Sequence, residues 1–298
     1  MNELASARTA SSTKERGHTL DRLKEFWRRF RKNKAAVFGL IVLLLLIFAS
    51  IFADQIADPA LITKISMDRK QPPSAAHWFG TDHLGRDLFV RVVHAAPTSL
   101  TIGIVVAAFS LLIGGTIGVT CAYYGGIYDE ITMRIVDILS AIPGTLLSMV
   151  VVSVVGGGMR NLIIAMVIAR FRGVVRLARS AAIGVTGREY IEAAKSGGSG
   201  EFRTILRHIV PNIMGTLIVS ATMSVSSAII SAAALSFLGL GVQPPTPEWG
   251  YMLNEARSYM ATCPHLMIFP GIALVTTSLS INLVGDGLRD ALDPKLKT

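Results

Sequence analysis

The sequence predicts an all-α membrane protein, and three observations carry that prediction. Hydrophobic residues make up 51% of the 298 and charged residues only 16%, where a soluble domain carries about a quarter of its residues as charges. The mean hydropathy is positive, at +0.51. The apolar residues also fall in blocks rather than short periodic patches, and block after block reaches the roughly 20 residues that a helix needs to cross a bilayer core of about 30 Å.

The elements follow in order. Residues 1–19 are polar and rich in Ser and Thr, and read as a disordered tail. From Leu20 to Phe30 apolar residues recur at Leu20, Leu23, Phe26, Trp27 and Phe30, with Lys and Arg between them through Lys34. That spacing predicts a basic amphipathic helix lying in the inner headgroup layer, so residues 1–34 form a cytoplasmic tail and interfacial helix. Ala35–Ala53 is the first span: it exceeds a signal-peptide core and no A-x-A site follows. Residues 35–298 then make up a single transmembrane domain. A proline-containing outer loop, 54–98, carries five acids and five bases. Further spans are expected at about 99–122, 134–155, 161–180, 209–230 and 266–285, six in all. The apolar stretch 231–240 is expected to be a re-entrant or interfacial extension, because a helix from 209 has already crossed.

Lys and Arg set the orientation. With the N-terminus inside, 22 of the 29 basic residues fall on the inner side and seven on the outer. The positive-inside rule therefore puts both termini, and the loop at about 181–208, in the cytoplasm. The same clustering beside spans argues against nucleic acid as the reason for the net charge of +9. Cys121 and Cys263 form neither a disulfide framework nor a metal-ligand spacing, and the six histidines are scattered. No metal site and no catalytic residue is expected.

Within the spans, Gly114 and Gly118 form a small-xxx-small face suited to close helix approach. Pro143 and Gly144 interrupt the third span as a kink, and Pro211 opens the fifth. Asp137 is expected to pair with Arg134 one turn away. Arg170, Arg172, Arg176 and Arg179 are expected to snorkel to headgroups. On that reading the spans hold no ion or proton relay, and solute movement would need energy from elsewhere. The dipeptide Gly-Lys is absent, so the chain has no Walker A loop of its own.

The inner loop at about 181–208 carries a pattern of its own. Tyr190–Ser196 reads as a short helix holding Glu192, Ala193 and Ala194; Gly197, Gly198 and Gly200 allow a turn, and a second short helix at Phe202–Ile209 leads to Pro211. From the residues alone this is either a solvated basic loop or a docking helix. The pattern Glu192-Ala193-Ala194-x3-Gly198-x10-Ile209-x-Pro211 resembles the EAA loop of bacterial ABC-importer permeases. Its glycine-to-isoleucine spacing is one residue longer than usual, as in the peptide branch, and Val210 replaces the usual leucine. The outer-loop run Phe79-Gly80-Thr81-Asp82-His83-Leu84-Gly85-Arg86-Asp87 is similar to the signature of the dipeptide/oligopeptide/nickel permeases. Pro244–Gly250, Gly285–Asp290 and Asp293-Pro294-Lys295 also match that branch, and the order resembles its C-type subunit, with the C-terminal third nearest dipeptide and glutathione permeases.

The resemblance implies the transmembrane domain of a type I ABC importer. It implies a non-catalytic bacterial inner-membrane subunit paired with a homologous permease, with two ATPase subunits that use ATP and Mg below and an extracytoplasmic solute-binding protein above. The expected ATPase-coupling residues are Tyr190, Glu192, Ala193, Ala194, Gly198, Ile209 and Pro211, and the chain itself binds no cofactor. Asp82, Arg86 and Asp87 are expected to ion-pair and order the outer loop, with docking of the solute-binding protein as the other role. Trp249 fits either a membrane anchor or a gate residue. The expected cargo is a di- or oligopeptide, with glutathione or a nickel chelate as alternatives. An ion-coupled transporter or channel is the rival from another class.

Overall fold

The computed structural model describes residues 24–292, and among them every regular element is a helix. The tail, Leu20, Leu23 and the motif Asp293-Pro294-Lys295 lie outside the described residues. Helix α1 covers residues 24–30. Asn33 ends it and starts α2 (Lys34–Ile51) by accepting a hydrogen bond from the Ala36 N–H at 3.1 Å, a standard N-cap. The Asn33 amide also donates to Asp290 Oδ2 at 3.1 Å, and Phe30 buries itself with Ala36 against Val284 and Ala291. The last helix, α12 (His265–Leu292), has Gly287 at this crossing. A Cβ there would stand 2.3 Å from that of Ala36 and 2.8 Å from the Phe30 ring, so the Gly285–Asp290 motif is where the N-terminal segment locks onto the last helix.

Between them lie α3 (Ala53–Ile56), α4 (Leu88–Tyr124), α5 (Gly126–Ser140), α6 (Gly144–Val155), α7 (Met159–Thr186), α8 (Glu189–Ser196), α9 (Glu201–Thr204), α10 (Val210–Phe237) and α11 (Trp249–Ala256). We call inner the end of the bundle that carries α8, which is also the end where α2 begins. Four helices are long and apolar enough to cross a membrane: α2, α4, the run Glu201–Phe237 and α12; α5 with α6 makes a fifth if that bent pair is one span. Helix α7 has 28 residues, but its arginines set it apart from these four. Phe38, Ile41, Leu44, Leu45 and Phe48 all point out of α2. In water that would be a large apolar patch, whereas lipid suits it.

Four expectations change. The second span starts at Leu88 rather than 99, because Asp87 caps it with an Oδ1 bond from Val90 N at 3.0 Å and its first turns are buried. The third span does not merely kink: α5 and α6 meet at 82° across residues 141–143, since Pro143 cannot donate to the ladder and disfavours helix at the residue before it. The stretch after 230 is no re-entrant loop; α10 runs unbroken to Phe237, with Ala232, Ala233, Leu235 and Ser236 buried. Finally, Phe202–Ile209 is not a separate helix. Helix α9 passes through a π turn, Ile205–Ile209, straight into α10, with Val210 N donating to Ile205 O. The widened turn accommodates Pro211, whose ring would otherwise press on the preceding carbonyl ladder.

The core is built on α4 against α7. A Cβ on Gly114 would lie 2.5 Å from the Phe171 carbonyl oxygen, and one on Gly118 would lie 2.4 Å from that of Val175. Backbones this close gain dispersion contact and weak Cα–H hydrogen bonds in place of the hydrophobic effect, which lipid does not supply. Gly118→Val is therefore expected to push α4 off α7, costing about 1–3 kcal/mol as an overpacking change. Loss of monodisperse protein on size exclusion in detergent checks it; wild-type behaviour would show that the crossing has slack.

Candidate functional site

The inner end is organised around two buried isoleucines. Ile191 of α8 and Ile209 of the π turn are both fully buried, in one cluster with Val119, Ala178, Ala182, Val185, Ile213 and Leu217. A helix of eight residues has no stability of its own in water, so α8 exists because Ile191 anchors it and because both ends are tied. At its start, Ile191 N donates to Arg188 O at 2.9 Å, and Glu189 and Glu192 in the first turn suit the positive end of the helix dipole. At its end, Gly198 takes φ +80 and Ser199 N returns to Ala194 O at 3.0 Å, the six-to-one bond of a Schellman cap. Thr204, itself buried, closes the turn by donating to Gly200 O at 3.1 Å, and Tyr124 OH of α4 donates to Glu201 at 3.0 Å.

What remains outward is a small, shaped surface. Tyr190, Glu192 and Ala193 are exposed, Ala194 is half-buried, and Phe202 is 75% exposed beside them. Of the residues expected to couple, the structure therefore divides the set: Tyr190, Glu192 and Ala193 face out, Gly198 shapes the turn, Ile209 is an internal anchor, and Pro211 sits in α10 just beyond the π turn. Ile191, Thr204 and Tyr124 were missed. An isolated Ile in a polar stretch gives little sign of being the footing of a helix.

The outer motif builds a different object. Thr81 is buried, accepts from Gln71 N at 2.9 Å and donates to the Asp68 carbonyl. Asp82 accepts from Arg86 Nε at 2.6 Å, from Arg91 Nη1 at 2.6 Å and from the N–H groups of Leu84 and Arg86. Both guanidinium groups then reach Glu255, Arg86 at 2.7 Å to Oε1 and Arg91 at 2.7 Å to Oε2. The four side chains close a ring of alternating charge, with none more than 12% exposed. Burial favours the neutral acid at Asp82, but Arg91, Arg86 and the backbone N–H groups outweigh it and hold the carboxyl below its ordinary value.

Around the ring, Asp87 bonds His77 at 2.7 Å as well as capping α4. Gly85 passes so close to Ser66 that a Cβ would sit 2.3 Å from its carbonyl oxygen, and Gly80 meets Gln71 in the same way. The motif is thus a clamp joining the outer loop to α4 and α11. Arg91 and Glu255 complete it, and no local sequence signal links residues so far apart.

Three more expectations are corrected here. Trp249 is neither anchor nor gate at a surface: it is 1% exposed and donates from Nε1 to Val92 O at 3.0 Å. Glu248, beside it, is buried and caps α11 by accepting from Gly250 and Tyr251 N–H. Asp137 pairs with Arg176 of α7 at 2.6 Å rather than with Arg134. The α7 arginines do not snorkel: Arg179 holds Asp129 through two 2.5 Å bonds, Arg172 donates to the Leu139 carbonyl, and Arg170 turns to α10. A neighbouring helix offers each of them a fixed acceptor, so the headgroup layer is not needed. Among the described residues no cluster of three or more His, Cys, Asp or Glu could hold a metal ion.

Comparison with known proteins fits this geometry. Residues 114–298 match the family described as binding-protein-dependent transport system inner membrane component, and residues 22–73 match the N-terminal TM domain of oligopeptide transport permease C. The glutathione transport system permease protein GsiD of Escherichia coli O1:K1 is 46% identical over 278 residues, covering 92% of this chain and 90% of that protein. That of Pectobacterium atrosepticum is 45% identical over 276 residues, with 92% of each covered. Among solved structures, a chain of the MetNI methionine ABC transporter in an inward-facing form aligns at TM-score 0.56 and 19% identity, over 69% of this chain and 98% of that one, which shows a shared fold. With 46% identity along nearly its whole length and a family match over most of it, the chain belongs to the binding-protein-dependent inner-membrane components, the non-catalytic permease subunits of bacterial ABC importers.

Proposed function

We propose that the chain forms, with a homologous permease subunit, the translocation path of an ATP-driven importer of small peptides, with glutathione as the first candidate cargo. Family membership implies ATPase and binding-protein partners. In this reading six spans, α7 among them, cross with both termini in the cytoplasm, and two ATPases that consume ATP and Mg dock at the inner end. The carrying observation is the outward face of α8, with Tyr190, Glu192 and Ala193 exposed over the fully buried Ile191 and Ile209. A push on that face passes through Ile191 into α7 and through Ile209 into α10, so one short helix moves two spans together. The high identity to permeases named for glutathione transport supports the cargo.

The test is uptake of labelled glutathione, and of di- and tripeptides in competition, into proteoliposomes holding the complete complex. Uptake is expected to need ATP and to vanish when the ATPases carry defective Walker motifs. Uptake that ignores the defect makes the chain a channel or ion-coupled carrier. Competition by dipeptides alone moves the cargo from glutathione to simple peptides.

A further inference from the structure

Arg170 differs from Arg176 and Arg179 of the same helix and, like Arg172, is held by neutral acceptors. Arg176 and Arg179 each hold a carboxylate, but among the described residues no carboxylate lies within ion-pair distance of Arg170. Its guanidinium is held instead by neutral groups of α10: Nη1 donates to Ser227 Oγ at 3.0 Å, and Nη2 donates to Ser227 O at 2.7 Å and to Ser231 Oγ at 2.8 Å. At 1.5 Å per residue it stands about 17 Å from the outer end of α7, near mid-membrane if α7 crosses. It lines a cavity of about 240 Å³ with Thr145 and Ser148 of α6, Met166 and Ala169 of α7, and Ser231 and Leu235 of α10.

An arginine at such a depth is costly against lipid and sits where water or a polar partner reaches it. The lining agrees, since Thr145, which is exposed, and Ser148 and Ser231 bring three hydroxyl-bearing residues to it. The opposite side, between α4 and α7, is lined by Val105, Phe109, Ile113, Ile164 and Ile168 and suits lipid or a partner helix. A fixed cation with neutral ligands and an open polar side is a receptor for an anion that arrives and leaves.

We infer that Arg170, set between α6, α7 and α10, binds the carboxylate of the transported peptide on its way across; the inference rests on the importer reading above. Three variants test it in proteoliposomes holding the complete complex, with glutathione as the probe. Arg170→Gln is expected to slow ATP-driven uptake about ten- to a hundredfold, the weight of a charge-assisted hydrogen bond. Binding-protein-stimulated ATP hydrolysis should persist. Arg170→Lys, which keeps the charge but not the fork to Ser227, is expected to restore most of the uptake. Thr145→Asp, at an exposed wall position, supplies an internal carboxylate and is expected to inhibit as Arg170→Gln does, which keeps the test open if Arg170→Gln does not assemble.

Wild-type uptake by Arg170→Gln, failure of Arg170→Lys to rescue, or normal uptake by Thr145→Asp would each overturn the proposal and leave Arg170 as a tie between α7 and α10. If the wild-type complex itself shows no ATP-driven uptake of glutathione or peptides, the importer reading has failed, and that outcome is distinct from the other three.

Discussion

Asp82→Ala is expected to loosen the outer face of the permease more than the loss of a surface charge could. The ring of Asp82, Arg86, Glu255 and Arg91 is neutral as a whole, and its hydrogen bonds run 2.6–2.7 Å. Removing Asp82 leaves two guanidinium groups, both nearly inaccessible, to share Glu255. Breaking a buried pair in this way costs about 3–5 kcal/mol. The cost should appear as a clear fall in the melting temperature of the detergent-purified complex. It should also appear as early cleavage of residues 54–87 by added protease, while the inner end stays protected.

The Asp82→Ala/Glu255→Ala double variant should cost less than the sum of the two singles, because the second deletion acts on a ring already broken. The sign of the pH effect follows from the depressed acidity of Asp82. Its stabilisation is complete above the ordinary aspartate value and fades as pH falls through the lower folded-state value. The wild-type melting temperature should therefore hold through mildly acidic buffer and drop only in strong acid, and in Asp82→Ala that drop should be smaller, with Asp129 still contributing to it. Melting of Asp82→Ala alongside wild type would show that the ring is ornamental.

That ring also marks the boundary of what can be read without coordinates. Spans α2 and α12 were legible because an apolar run of the right length has one stable solution in lipid. The outer-loop motif was legible as a set of charges, and ordering by ion pairs was the right expectation for Asp82 and Arg86. Their partners were not legible, since Arg91 lies in what read as loop and Glu255 is separated from it by most of the bundle. The same pairing suits the early start of α4 that Asp87 caps, because a paired Arg91 can be carried into the packed interior. The 82° corner was half legible. Pro143 announces a break in hydrogen bonding but says nothing of its angle, 82°, nor of the Asp129–Arg179 and Asp137–Arg176 pairs that tie α5 to α7 beside it. At the inner end the Glu-Ala-Ala triplet was visible, whereas its support was not, because Ile191 and Ile209 look alike in sequence whether buried or bare.

Gly198→Pro is the change expected to separate hydrolysis from transport. Gly198 holds φ +80, and the bond from Ser199 N to Ala194 O depends on that conformation. An ordinary residue there pays about 1–2 kcal/mol. Proline, locked near −65°, cannot adopt it at all, so the last turn of α8 must unwind and its outward face must tilt. Neither span is touched, so insertion, assembly of the complex and ATP hydrolysis by its ATPases should survive, while uptake falls by more than tenfold. Two companions locate the fault. Ile191→Ala removes the footing rather than the cap, at about 2–5 kcal/mol for a buried isoleucine, and should uncouple to a comparable degree by letting α8 slide over α7. Glu192→Ala leaves α8 in place and alters only the exposed contact, so it should weaken binding of the ATPases in pull-down, an effect that Ile191→Ala shares only in part. If Gly198→Pro and Ile191→Ala both transport at wild-type rates with α8 demonstrably displaced by cysteine accessibility, the stroke enters the membrane elsewhere, and the surface made by Phe202 and Leu206 is the next place to look.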